Sequence, residues 1–178
     1  MKKKLSISLI ALALVLCCTV ATTIAWLTSK TDSVVNTFTF GDINITLTET
    51  TGNEYKMIPG NTITKNPTVT VVANSEPCWL FVKIEKSANF DQFMTYEIAQ
   101  GWTALSENDG VYYREINTLT NTDVSFAILL NDQVTVKDTV TKEMFNNNFS
   151  EPQLVFTAYA VQKDNIPSAT DAWAKVSN

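Results

Sequence analysis

The sequence contains no histidine, and this absence removes most routes to hydrolytic catalysis. A Ser-His-Asp or Cys-His mechanism uses an imidazole as its general base, and an H-E-x-x-H zinc site uses two imidazoles as ligands. No glycine-rich phosphate loop and no EF-hand spacing occurs either. We therefore expect that the protein is not an enzyme and that it has neither catalytic residues nor a cofactor. A calcium ion at the turns carrying Asp109 or Asp132 stays open as an alternative, because carboxylate oxygens suit that ion.

Cysteine is scarce, and its placement excludes a disulfide scaffold. The chain has three cysteines, and Cys17 and Cys18 lie in an apolar N-terminal run. Cys78 is then the only thiol left in the rest of the chain, so it has no internal partner. It sits in the apolar run Pro77-Cys78-Trp79-Leu80-Phe81-Val82. This setting predicts a small buried hydrophobe and not a nucleophile.

Positive charge is also scarce, since Arg114 is the only arginine in a chain of 13 basic and 18 acidic residues. Removal of Lys2, Lys3 and Lys4 with a signal peptide would leave 10 basic residues and a formal charge of −8. An acidic domain of this kind is a poor partner for nucleic acid or for an anionic membrane surface. The charge is typical of a protein that must stay soluble outside the cell.

The N-terminal residues predict secretion. Lys2-Lys3-Lys4 form a basic region, residues 5–16 form an apolar run, and Thr23 and Ala25 are small residues at the −3 and −1 positions of a cleavage site. We predict residues 1–25 to be a signal peptide cut between Ala25 and Trp26. The uncharged length of residues 5–27 leaves an uncleaved membrane anchor as the alternative. A lipoprotein is disfavoured, because Leu16 or Cys17 stands where a small residue should precede the lipidated cysteine.

The mature chain reads as β-structure. Residues 34–40 are β-branched and aromatic, and Ile43, Ile45 and Leu47 alternate with polar residues as in a half-buried strand. The apolar residues fall on even-numbered positions before Gly41-Asp42, at Phe38 and Phe40, and on odd-numbered positions after it. Either a two-residue hairpin or a bulge at Gly41 explains this change, and the sequence does not choose between them.

The remaining residues, 50–178, predict further short strands separated by turns. Residues 50–66 contain Gly52, Pro59 and Gly60 and are predicted to be loop. Asn131-Asp132 is predicted to be a turn that ends one strand, and Ser168 with Asp171 forms a capping pattern for a C-terminal helix. The fold class predicted for residues 26–178 is a single all-β domain, an antiparallel β-sandwich or jelly roll with short helical turns. The predicted strands are 68–73, 78–85, 94–98, 110–116, 124–130, 134–136 and 153–162, and the predicted helical turns are 87–93 and 142–147.

One stretch around the cleavage site resembles a known family. Ala25-Trp26-Leu27-Thr28 and the run NTFTFGDI at residues 36–43 are similar to the N-terminal signature of TasA/camelysin-type secreted proteins of Gram-positive bacteria. Shorter similar segments are Ile58-Pro59-Gly60, KNPTV at 65–69 and AYAVQ at 158–162. The resemblance implies processing by a signal peptidase of the SipW type. It also implies a structural subunit of extracellular fibres in a biofilm matrix, whose partners are other copies of itself and other matrix components.

The first residues of the mature chain suggest how copies would join. Residues 26–40 are rich in threonine and valine, contain no proline and carry only Lys30 and Asp32 as charges. Such a segment can add to the open edge of another chain's sheet, and Gly41 gives it freedom to change direction. The predicted assembly residues are Val34, Val35, Phe38, Phe40 and Gly41. The alternative is that the same residues form an ordinary first strand in their own sheet.

Two other classes of function compete with the fibre subunit. A secreted peptidase agrees with the camelysin label but lacks the histidines that such chemistry uses. A monomeric binding module or adhesin at the cell surface needs no assembly. No L-P-x-T-G motif and no second long apolar run follows the first. We therefore expect the mature protein either to diffuse away from the cell or to be retained by binding, including binding to itself.

We expect the protein recovered from a culture supernatant to begin at Trp26, because the small residues at positions 23 and 25 place the cut there. Mass spectrometry of its N-terminal peptide checks this. Recovery of intact Met1 with the apolar run in the membrane fraction would support the anchor instead.

Overall fold

The computed structural model describes residues 42–52, 55–117, 121–145 and 149–177. The predicted cleavage site and the predicted assembly residues lie outside this part of the chain. They are Ala25, Trp26, Val34, Val35, Phe38, Phe40 and Gly41.

The regular secondary structure of the described chain is mainly β-strand, with two short α-helices and one 3₁₀ turn. In chain order the elements are β1 (Ile45–Thr48), β2 (Thr62–Thr64), β3 (Thr68–Val71), β4 (Cys78–Lys86), α1 (Phe90–Phe93), β5 (Met94–Ile98), β6 (Thr103–Ala104), β7 (Val111–Ile116), β8 (Val124–Ala127), β9 (Leu129–Val136), a 3₁₀ turn (Lys142–Met144), β10 (Leu154–Gln162) and α2 (Ala169–Trp173). The predicted all-β class is confirmed.

The strands form two layers, and every pairing is antiparallel. The back layer has the order β10-β4-β7-β6. The front layer consists of two three-stranded parts, β1-β3-β8 and β2-β9-β5. These parts are joined end to end, because Ile128 N donates to Pro67 O at 3.0 Å and Lys65 N donates to Asp132 O at 2.7 Å. The result is the predicted β-sandwich.

β4 is buried on both faces, as its continuous apolar sequence predicts. Leu80, Val82 and Ile84 point between the two layers and belong to the main core. Trp79 and Phe81 point the other way, into a second core beneath α2. Both faces of this one strand therefore hold an apolar cluster.

α2 covers the outer face of the back layer. It begins where predicted, since Ser168 Oγ accepts a hydrogen bond from Asp171 N at 3.1 Å. The Trp173 ring packs 5.3 Å from both Phe81 and Tyr159, measured between ring centroids. This contact explains why β10 is apolar on both faces although it pairs only with β4.

Two strands were not predicted. β2 lies inside the predicted loop 50–66, and β6 lies in a stretch without strand pattern. They have three and two residues, so neither is long enough to show alternation. The partner of β2 is β9, which lies far away in the sequence, and the partner of β6 is β7, which follows it after a short turn.

The prediction of a strand-ending turn at Asn131-Asp132 was wrong. Both residues have the left-handed φ values of a turn, 55° and 54°, yet they lie within β9. They form a bulge, and the pairing of β5 with β9 shifts register between Tyr96 and Ile98. The break between β8 and β9 falls at Ile128 instead. Of the predicted helix 142–147, the structure describes the turn Lys142–Met144.

Cys78 is fully buried, as predicted, and its burial raises the pKa of the thiol to about 11. We expect Cys78→Ala to fold normally and to lose about 1 kcal/mol of unfolding free energy, because one small buried side chain is shortened. Urea unfolding at pH 7 measures this. A loss of fibres at unchanged stability would contradict a packing role.

The raised pKa also gives an alkaline signature. The unfolded thiol ionises near pH 9 and the folded thiol near pH 11, so the folded state loses stability as pH rises through this window. Cys78→Ala removes the titrating group. The wild type's advantage of about 1 kcal/mol over the variant should therefore disappear and then reverse between pH 9 and pH 11, because the stability loss linked to the raised pKa exceeds that advantage. A constant difference would contradict the burial of the thiol.

Candidate functional site

One side of the sandwich is closed by the connection between β5 and β6. Trp102 in this connection is 9% exposed and belongs to the main core. Its indole Nε1 donates to Ala127 O of β8 at 2.8 Å. Ala99 N donates to Ile128 O on the same edge at 2.9 Å. The edge of the front layer is therefore partnered on this side.

The single arginine completes this closed side. The guanidinium carbon of Arg114 lies 5.0 Å from the Trp102 ring centroid and 4.7 Å from that of Phe126. Its Nη2 donates to Gln100 O, and burial lowers its pKa. Gly101, at φ +86°, lies so close that a Cβ there would be 2.5 Å from Nη1. Arg114 therefore acts here as a packed structural group.

The opposite side of the sandwich is different, and we call it the seam. It lies between β1, at the edge of the front layer, and β10, at the edge of the back layer. The register of β10 with β4, together with the bond from Lys163 N to Pro77 O, places the odd-numbered amides of β10 toward β4. The even-numbered amides therefore point to the seam. In β1, Val72 N of the β3 side donates to Asn44 O, so the even-numbered residues of β1 are bonded toward β3. The backbone amides of Ile45 and Leu47 therefore point to the seam.

No backbone ladder joins β1 to β10 among the described residues. Within residues 42–52, 55–117, 121–145 and 149–177, two strand edges without a backbone partner thus face one another, and such edges are the usual place for another strand to add.

The side chains along the seam are incompletely covered. Leu154, Phe156, Ala158 and Ala160 of β10 point into the main core, yet each remains half-buried. The core-facing residues of the adjacent strand β4 are at most 4% exposed. Leu47 of β1 is 37% exposed. The apolar surface is therefore shielded on the β4 side and still open toward the seam.

An ion pair covers the seam near Phe156. Lys65 Nζ lies 2.7 and 2.8 Å from the two carboxylate oxygens of Glu49, directly after β1. The same Nζ lies 5.9 Å from the Phe156 ring centroid and 5.2 Å from that of Tyr55. The side chains of the pair are only 13% and 23% exposed. This cluster ties the segment after β1 to the front layer and fixes one limit of the open stretch.

The spacing of the seam decides how a strand could enter it. Cα atoms of β1 and β10 come within 8 Å of each other. A strand hydrogen-bonded to both would need about 9.6 Å, twice the normal spacing of about 4.8 Å. An added strand therefore pairs with one edge at a time unless β1 moves. β10 has nine residues against four in β1, so part of its edge extends beyond β1.

The first described residues lie beside the seam. Asp42 O accepts a hydrogen bond from Glu76 N at 2.9 Å, so the pairing of the β1 segment continues back to Asp42. Residues 26–41 precede this point directly. The choice between a hairpin and a bulge at Gly41-Asp42 stays open, because Gly41 lies outside the described residues.

Among the described residues, no group of three or more cysteine or acidic side chains is arranged to hold a metal ion. Within the same ranges, no helix has the length and apolar character needed to cross a membrane.

Comparisons with known proteins give no relative from which to transfer a function. No protein-family model, no curated protein and no solved structure matches the chain. The functional inference rests on the sequence motifs and on the geometry of the seam.

The seam predicts an alternating pattern of hydrogen exchange in a chain truncated to begin at Gly41. The amides of Val155, Tyr159 and Val161 should exchange slowly, because they are bonded to β4. The amides of Phe156 and Ala160 should exchange much faster, since they face the seam. NMR-detected exchange at single-residue level measures this, and the odd-numbered amides are the internal control. Uniform protection along β10 would show that the edge is already occupied.

Proposed function

We propose that this chain is a secreted structural subunit of extracellular fibres or biofilm matrix in a Gram-positive bacterium, of the TasA/camelysin type. After a signal peptidase has cut at Ala25, residues 26–40 become a free N-terminal segment. Each copy donates this segment to the seam of the next copy.

The observation that carries the proposal is the incomplete burial along β10. Half-buried side chains such as Leu154 and Phe156 lie beside an edge with unpaired backbone groups. A β-strand placed there would satisfy those groups and cover those side chains at the same time. Each main-chain hydrogen bond contributes about 0.5–1.5 kcal/mol, and full burial of a leucine or phenylalanine contributes about 1.5–3 kcal/mol.

The chemistry of residues 26–40 fits such an edge. Phe38 and Phe40 are two positions apart, so in a strand they point to the same face, and Val35 points to the other. One face of the donated strand therefore offers large apolar side chains to the half-covered core.

Donation between copies gives a filament and not a closed dimer. The donor segment and the accepting seam are different surfaces, so each copy has one of each to offer. Such a heterologous contact repeats without closing, unless the rotation between copies happens to form a ring. Because the donor segment follows the signal peptide directly, cleavage would release it only after export, which couples assembly to secretion.

A chain truncated to begin at Gly41 tests this proposal together with a synthetic peptide of residues 26–40. We expect the truncated chain to be a soluble monomer that forms no filaments and binds the peptide. Binding should slow the exchange of the Phe156 and Ala160 amides. Electron microscopy, sedimentation and NMR provide the three measurements.

A peptide in which Phe38 and Phe40 are both serine is the matched control, and it should bind much more weakly. Filaments from the truncated chain alone would refute donation. Unfolding of the truncated chain without rescue by the peptide would favour the alternative, in which residues 34–40 are a fixed first strand of a monomeric surface protein.

A further inference from the structure

The outer face of the front layer is a lattice of hydroxyl groups. Thr46, Thr70 and Ser125 lie side by side across β1, β3 and β8. Thr62, Thr135 and Thr95 form a matching row across β2, β9 and β5. All six point away from the core, because their neighbours along each strand point into it. Residues in a row are about 4.8 Å apart, and outward positions along one strand are about 6.7 Å apart.

The hydroxyl groups partly satisfy one another within the rows. Thr70 Oγ1 and Ser125 Oγ are 2.7 Å apart, and Thr62 Oγ1 and Thr135 Oγ1 are 3.4 Å apart. Each threonine carries a methyl group beside its hydroxyl group. The face therefore combines small apolar groups with hydroxyl groups that can exchange partners.

Charge is nearly absent from this face, although 17% of the chain is charged. None of the paired, outward-facing positions of these strands carries a charged side chain. The two acidic residues within the strands, Glu97 of β5 and Asp132 of β9, lie where the pairing of β5 with β9 is irregular. The outer face of the back layer carries Lys83, Glu85 and Glu115. The strand propensity of threonine explains the threonines but does not explain why lysine and glutamate are missing, since exposed sheets normally carry them.

We propose that this face packs against the same face of a second copy of the chain. The lack of charge removes the repulsion that two acidic chains would otherwise meet. Rows of small, identical side chains can interdigitate at the usual spacing of about 10 Å between stacked sheets. A charged polymer such as a nucleic acid would meet no oppositely charged side chains on this face.

The proposed contact is small, so we expect it to be weak between two single copies and strong only where many copies are arrayed. Three strands across and about ten residues along give roughly 450 Å² per copy, or roughly 900 Å² per pair, from strand spacing and rise. Stable interfaces bury about 1,200–2,000 Å², so one pair of subunits associates only weakly. Subunits arrayed in a fibre make the contact many times over, which multiplies its strength. The role in bundling fibres side by side therefore rests on the proposed fibre function, whereas the self-association of the face does not.

The test is the double variant Thr70→Lys with Thr135→Lys, made in the full chain and recovered as the secreted protein. Each contact would then bring lysines face to face. The matched control is Thr103→Lys with Ser106→Lys, which adds the same charge at exposed positions of the back-layer strand β6 and the turn after it. Equal urea midpoints for the two variants confirm that both are folded.

Electron microscopy gives the first readout. We expect wild-type and control fibres to lie in lateral bundles, and fibres of the double variant to stay single with the same width and subunit spacing. Bundles of the double variant like those of the wild type would overturn the proposal. If the wild type forms no fibres at all, the proposed function fails and sedimentation gives the second readout. Weak, concentration-dependent association of the wild type and the control that the double variant lacks supports the face-to-face contact, and its absence in the wild type refutes that contact.

Discussion

Burial of β4 on both faces is the constraint on which the rest of the structure depends. The strand pairs with β10 and β7, and it holds one apolar cluster against the front layer and a second beneath α2. Because β4 cannot be exposed on either face, both the front layer and α2 are needed to cover it. In the part of the chain that the structure describes, this arrangement leaves the outer edge of β10, one strand away, without a partner strand.

The gap between the two layers is covered differently on the two sides of the sandwich. On the closed side, Trp102 fills the gap between the layers and the Arg114 guanidinium lies over its ring. On the seam side, the half-buried side chains of β10 and the exposed Leu47 of β1 have no equivalent cover among the described residues. An edge strand left in this condition attracts another strand. The proposed donation of residues 26–40 between copies rests on this asymmetry between the sides.

Much of the fold could be predicted from local patterns, because those patterns are set by burial. The apolar run of β4 and the capping pair Ser168 and Asp171 are local signals, and both elements lie where predicted. β2 and β6 are too short to carry a pattern, and the turn residues Asn131-Asp132 form a bulge because distant strands pair across them. The seam itself could not be predicted, since strand order depends on contacts between residues far apart in sequence. The predicted assembly residues concern the chain before Asp42, and the seam supplies a physical reason for them.

The central claim is that the edge of β10 is completed by residues 26–40 of a neighbouring copy. Electron cryo-microscopy of fibres assembled from the secreted protein tests it most directly, at a resolution that traces the chain through Gly41. The account predicts that residues 26–40 leave their own sandwich at Asp42 and run as a strand along β10 of the next copy, with Phe38 and Phe40 against its core. A trace in which residues 26–40 pair with strands of their own copy would contradict it.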